Sequence, residues 1–193
     1  MYHTFLQDRE LFERLLGIDR QMAAELQAGG CGCGGRLDRA SYPRKVRGVP
    51  KGLGPEHGIR ESFCCCKEGC RKRATPMSVR FLGRRVYVSV ALVIGAAVEG
   101  GVTKRRVELL RKLMRCPLAR RTVERWVVWW REMLPRTRLW QETRRRLPAP
   151  IDLKRMPLSL LEVFGGEDLE EDLEGGLIKL LRLLSPISIG HVQ

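Results

Sequence analysis

Six of the seven cysteines in this chain of 193 residues fall in two tight groups, Cys31 with Cys33 and Cys64, Cys65 and Cys66 with Cys70. No other feature restricts the possible folds as strongly. The surrounding segment, 29–85, is rich in glycine, proline and arginine, and its only extended runs are Ser62–Cys66 and Ser78–Leu82. Such a segment buries too little apolar surface to stabilise itself and needs a cross-link of another kind. Disulfides are disfavoured: the cysteine count is odd, and the opening MYHTFLQDRELFERLLG is charged and amphipathic, without the continuous apolar core of a secretory signal.

A metal fits the spacing better. Structural zinc takes four tetrahedral ligands, usually as two close pairs from separate turns. Cys31-Gly-Cys33-Gly-Gly and Glu68-Gly69-Cys70 supply glycines where backbone amides must approach thiolates. Cys33 and Cys70 anchor the set, and Cys31 joins them although its spacer is one residue tighter than usual. Neighbours in a strand face opposite ways, so Cys65 should point away from Cys64 and Cys66. Cys65 is the expected fourth ligand, with Cys66 as its substitute. The expected cofactor is a structural, fully ligated Zn2+, with Lys67, Arg71, Lys72 and Arg73 offsetting the charge of four thiolates. His57, in the gap, is expected as a solvated loop residue, and Cys116 as a packing residue.

Outside this segment the apolar residues recur at helical spacing. Phe5, Leu11, Leu15, Leu16, Ile18, Met22 and Leu26 predict an amphipathic helix over 5–27, stopped by Gly29–Gly30. The run from Val86 to Val98 is shorter than the roughly 20 residues that span a bilayer. It reads as a buried helix ending at Glu99. Thr103 caps a second helix reaching Arg115, Cys116-Pro117-Leu118 make a turn, and Ala119–Leu134 form a third helix stopped by Pro135. A fourth is expected over Thr137–Leu147, and two more over Pro157–Phe164 and Leu177–Leu184. The expected fold is therefore mainly α with a small β zinc ribbon. It has four parts: an N-terminal amphipathic helix (1–28), a zinc-ribbon-like module with a basic loop (29–85), a helix-turn-helix-like bundle (86–147) and an acidic helical tail (148–193).

A formal net charge of +14 points to a polyanionic partner, with nucleic acid as the default. Residues 151–193 hold eight acids against four bases, so the rest of the chain carries more than the whole net charge. The loop holding Arg44, Lys45 and Arg47 beside Tyr42 has the composition of a backbone-contacting segment, as does Arg71-Lys72-Arg73. In the bundle, Val107, Leu110, Leu113 and Met114 line one helix face, and Val123, Trp126, Val127 and Trp130 line the next. Arg120, Arg121, Thr122 and Arg125 then occupy the exposed first turns of the third helix. This is the layout of a helix-turn-helix, whose second helix meets base edges through its N-terminal residues. Arginine can grip guanine bidentately, and Thr122 can serve a phosphate or a base. Pro117 in the turn and Ala119 at the cap depart from the pattern. The four tryptophans (Trp126, Trp129, Trp130, Trp140) read as core residues.

In order, Cys31-Gly-Cys33-Gly-Gly, the Phe63–Arg73 stretch FCCCKEGCRKR with Thr75-Pro76, and Arg120-Arg121-Thr122-Val123-Glu124-Arg125-Trp126 resemble the zinc-ribbon plus helix-turn-helix region of bacterial insertion-sequence transposases. The resemblance covers about residues 29–134. In that family these modules bind element ends, and a separate ribonuclease-H-like domain with three acidic residues does the chemistry. Here only 43 residues follow Pro150, with their acids in a glycine-punctuated run. The resemblance thus implies a DNA-binding accessory or regulatory factor of a mobile element, in transposition or integration, without a catalytic domain. Its expected setting is the bacterial cytoplasm and nucleoid. The partners so implied are duplex DNA and a transposase or integrase met through the acidic tail, with no membrane; a homodimer is compatible with the N-terminal helix. No phosphate-binding glycine motif, nucleophile elbow or open His/Glu metal arrangement supports an enzyme. An RNA- or ribosome-associated zinc protein and an interaction scaffold are the other readings the composition allows.

Overall fold

A computed structural model describes residues 2–82, 86–165 and 173–189. The first long element, α1 (Arg9–Ala28), starts where the Asp8 side chain accepts the Leu11 N–H at 3.1 Å. That cap sets the start of the helix, and Tyr2–Leu6 forms a short 3-10 turn instead of its first residues. Next come β1 (Leu37–Arg39), β2 (Tyr42–Pro43), β3 (Ile59–Arg60), β4 (Phe63–Cys65) and β5 (Arg73–Ala74). β4 lies between β1 and β5, antiparallel to both, with Leu37 opposite Cys65 and Cys64 opposite Arg73. β2 and β3 form a separate antiparallel pair.

The centre of the molecule is α2 (Val88–Ala97). Every residue from Val88 to Ala96 is buried. A helix apolar on all faces has no side to give to water and must be enclosed. The remaining helices do this: α3 (Lys104–Met114), α4 (Arg120–Val128), α5 (Arg138–Thr143), α6 (Leu158–Gly165) and α7 (Leu173–Leu184). Val88, Leu92 and Ala96 join a core with Leu11 and Leu15 of α1, Trp130, Trp140 and the leucines of α6 and α7. Val90, Val93 and Ile94 join a second core with Phe12, Tyr87, Val107, Leu110 and Val123. No helix among the described residues is long and apolar enough to cross a membrane.

Thr103 caps α3 by accepting the Arg106 N–H at 3.2 Å, as its position predicts. The turn into α4 passes through Arg115 at φ 49° and is closed by Arg111 Nε donating to the Leu118 carbonyl at 2.7 Å. Ala119 opens α4 without a side-chain cap. The single helix expected to Leu134 instead widens after Val128 into a π-helical stretch, Trp129–Met133. The two adjacent indoles there pack edge to face, ring centroids 4.7 Å apart, but differ in burial. Trp130 is fully buried, donating Nε1–H to the Ala91 carbonyl at 3.3 Å, while Trp129 stays half-buried at the surface.

Two segments differ from the sequence reading. The part set apart as an acidic tail contributes Met156, Leu160, Leu161, Leu177, Leu180 and Leu184 to the main core, because both of its helices carry an apolar stripe that α2 needs. Its acidic run, 167–172, with the partner-docking role expected of it, lies outside the described residues. Ser78–Leu82 is not a strand; beyond one isolated bridge of Phe81 with Tyr87, side chains hold it. The Asp19 carboxylate accepts the Val79 N–H at 2.8 Å and Arg80 Nε at 2.7 Å, and the Ser78 hydroxyl also donates to it. Arg80 goes on to donate to the carbonyls of His57 (3.1 Å) and Ile59 (2.9 Å), so one buried pair joins α1 to the cysteine-bearing segment. His57 is correspondingly no solvated loop residue. It is buried, its Nε2 lies 3.1 Å from Glu13 Oε1, and its carbonyl also accepts the Tyr87 hydroxyl.

Removing one partner of such a pair strands a buried charge. Asp19→Ala is therefore expected to lower stability by about 3–5 kcal/mol in urea unfolding, and Asp19→Leu with Arg80→Met recovers only part of the loss, because the Val79 N–H loses its acceptor and the His57 and Ile59 carbonyls lose their Arg80 donor. A loss below about 1 kcal/mol in the single variant would show that the pair does not hold these segments together.

Candidate metal centre and basic surface

Four thiols converge from three places in the chain. Cys31 and Cys33 sit in the turn between α1 and β1, Cys65 ends β4, and Cys70 lies in the turn before β5. Their sulfurs all lie within 4.8 Å of one another, with Cys31 and Cys70 Sγ 3.7 Å apart and Cys33 and Cys65 Sγ 3.5 Å apart. Sulfurs at about 2.3 Å from a tetrahedral ion stand about 3.8 Å from each other. The pocket thus has the dimensions of a four-thiolate metal site. The set is the one the strand alternation favours. Cys64 turns to the other side and donates to the Arg71 carbonyl at 3.3 Å, and Cys66 is exposed and outside the cluster.

The backbone is shaped to the same end. Gly34 after Cys33 has φ +76°, and Arg71 after Cys70 has φ 42°. In each turn this left-handed residue brings the next N–H back onto the cysteine sulfur: Gly35 to Cys33 and Lys72 to Cys70. Lys67 does the same for Cys65. Gly35 has a second reason to be glycine, since a Cβ there would meet Cys65 Sγ at 2.6 Å. Lys67 also spans the two turns, its Nζ donating to the Cys33 carbonyl at 2.9 Å. Gly35 lies in the glycine run expected to let amides approach the thiolates, and Lys67 is among the bases expected to offset their charge; its bond to the Cys33 carbonyl is the added finding.

Four crowded thiols share protons unequally. The Cys65 thiol and the Gly35 N–H lower the Cys33 pKa to about 7. The Lys67 N–H also draws Cys65 down, but burial and the neighbouring sulfurs win and push it up to about 12. Cys70 is raised as well: the Lys72 N–H favours its thiolate, and Cys33 and Cys31 outweigh it. A dication must expel the protons on Cys65 and Cys70 before it can bind at neutral pH. Metal affinity should accordingly rise with pH above neutrality, measured by competition with a chromophoric chelator. A pH-independent affinity would rule out a thiolate site.

Serine at Cys31, Cys33, Cys65 or Cys70 is expected to abolish stoichiometric metal, whereas serine at Cys64 or Cys66 leaves about one ion per chain by atomic emission. Chelation should speed amide exchange in β1 and β4 while α2 stays protected. Equal exchange in both regions would show that the metal does not hold this module separately from the helical core.

The basic residues expected to meet a partner are dispersed. Arg71 and Lys72 are exposed at the Cys70 turn itself. Lys45 and Arg47 are exposed on the loop, whereas Arg44 is half-buried and donates to the Tyr42 hydroxyl at 3.0 Å. On α4, Arg121 is exposed, Arg125 Nε donates to the Arg121 carbonyl at 3.3 Å, and Arg120 pairs with Glu124 at 2.7 Å. Thr122 is half-buried in a cleft with Leu82, Trp126 and Trp129. The larger signal lies in the surroundings. From Thr103 to Arg146 the chain holds fifteen bases against four acids, most of the net charge of the protein. Arg105, Lys112, Arg115, Arg136, Arg144 and Arg145 are among the exposed ones. A count of charge by segment in the bundle finds this concentration; motif matching does not.

Comparison with protein-family models, with curated proteins and with solved structures finds no match to this chain.

Proposed function

We propose that this is a DNA-binding protein in which a structural Zn2+ folds the cysteine module and the α3–α4 pair supplies the main nucleic-acid surface. The concentration of fifteen bases against four acids over Thr103–Arg146 carries the reading. A field of that sign and extent draws phosphate polyanions and speeds their association. The four-cysteine cluster on a three-stranded antiparallel sheet supports a zinc ribbon, and the capped α3, short turn and arginine-tipped α4 support a helix-turn-helix. Zinc is the ion best suited to four thiolates at this spacing, and a fully ligated site has a structural rather than a catalytic role. The further placement as an accessory or regulatory factor of a mobile element rests on the order of the motifs alone.

Duplex DNA affinity should fall steeply with salt, log K declining linearly against log salt concentration. Arg121→Ala with Arg125→Ala should weaken binding by roughly tenfold and lower the salt slope by about two, while metal content and thermal unfolding stay unchanged. Anisotropy titrations with duplex DNA, duplex RNA and single strands decide the matter. Salt-independent binding, or a preference for duplex RNA, would overturn the proposal.

A further inference from the structure

The ring of Tyr42 has two cations on it. The Arg44 guanidinium lies 4.9 Å from its centroid and the Arg73 guanidinium 5.9 Å. Neither arginine meets a carboxylate among the described residues. Glu61, close in sequence to the Tyr42-facing strand, is already engaged by Arg39 at 3.0 Å and by the Ser41 hydroxyl. Arg60, directly opposite Tyr42 in the strand register, is itself buried and adds a third positive charge. A cation on an aromatic face is stabilised by about 0.5–1 kcal/mol at exposed sites. Arg44 Nε is moreover enclosed without a hydrogen-bond partner, so one donor of this group is unsatisfied.

Two guanidiniums at 4.9 and 5.9 Å from one ring centroid, with no carboxylate partner among the described residues, can both turn towards one anion with several acceptor oxygens. We infer that Tyr42, Arg44 and Arg73 form a clamp for a single phosphate of a nucleic-acid backbone. This rests on the DNA-binding reading and assigns it a defined contact on the cysteine module. The two arms come from different parts of the module. Arg44 is placed by its N–H to the Gly58 carbonyl and by the Tyr42–Arg60 pairing of β2 with β3. Arg73 is placed by β5, paired with β4 through Cys64 and beginning just after the Cys70 turn. The clamp therefore exists only while the cysteine module is folded. Guanidiniums suit the task because their forked donors match phosphate oxygens bidentately.

A shared phosphate has a signature that two independent surface arginines lack. In metal-loaded full-length protein, Arg44→Ala, Arg73→Ala and the double variant should each weaken duplex DNA binding to a similar extent, roughly fivefold at moderate salt. Each should reduce the salt slope by about 0.9, the value for one phosphate, with no further reduction in the double variant. Tyr42→Leu should match the double variant, and Tyr42→Phe, which keeps the ring but removes the hydroxyl that accepts from Arg44, should fall between it and the wild type. Additive losses, with a slope change of about 1.8 in the double variant, would show two separate phosphate contacts and overturn the clamp. Unchanged slopes in the arginine variants would remove this site from the interface while leaving the DNA-binding reading intact. Salt-independent binding by the wild type would sink that reading first. Metal content and thermal unfolding of each variant separate loss of contact from loss of fold.

Discussion

The structure is organised by the fact that α2 cannot touch water. Nine consecutive buried residues give it no polar face, and each fully buried valine, leucine or isoleucine contributes about 1.5–3 kcal/mol when taken out of solvent. The flanks of the helix are covered by elements remote from each other in sequence. On one side lie α1, α6 and α7, and on the other α3 and α4. Segments that differ sharply in charge are therefore bound to one apolar rod. Charge sorts the surface of this protein, whereas α2 determines what packs together. This explains why the C-terminal helices α6 and α7 form part of the core rather than an appendage.

The cysteine module depends on a different source of stability. Its own buried cluster consists of Ala23, Leu37, Phe63 and Cys65, small beside the two cores around α2. Even generous burial of four side chains falls below the roughly 10–16 kcal/mol that zinc supplies to small structural sites at neutral pH. An ion on the four thiolates would make metal and sheet two halves of one folding event. The Asp19–Arg80 pair has another role. Buried pairs add little net stability, since desolvation cancels most of the attraction, but their geometry is exacting. By binding Val79, Ser78 and the carbonyls of His57 and Ile59, this pair fixes how the module sits against α1.

Much of the site was legible because its chemistry is local. Cysteine spacing and strand alternation narrowed the fourth ligand to Cys65, with Cys66 as its substitute, and the sulfur geometry takes Cys65. The helix positions followed from apolar periodicity and from Thr103 as a cap. What was not legible depends on long-range partners or on backbone states that residue type does not announce. Arginine is an unusual residue for a left-handed turn, so nothing marked Arg71 as the pivot of the second cysteine turn. Asp19 and Arg80 are separated by 61 positions, and neither stands out in its own segment. His57 looked solvated because its neighbours are glycines and charged residues. Its burial follows from the Arg80 and Tyr87 side chains that seek its carbonyl.

The same division between local and long-range causes bears on recognition. At physiological ionic strength a surface charge is felt over roughly 8 Å, so bases spread over α3, α4 and α5 act as a broad field rather than as one contact. Such a field supplies affinity and rate but little sequence information. Discrimination needs side chains held in fixed geometry against particular atoms. The exposed arginines of α4 have only weak local restraints, the Arg120–Glu124 pair and the Arg125 contact to its own helix. The guanidiniums around Tyr42 are instead held by a ring, two strand pairings and the Cys70 turn. The buried Asp19–Arg80 pair ties that module to α1, and α1 packs on α2, which also carries α3 and α4. A phosphate gripped at Tyr42 would therefore fix the register in which the arginines of α4 meet the same duplex. On this argument, positioning belongs to the metal module and the attractive field to the helices.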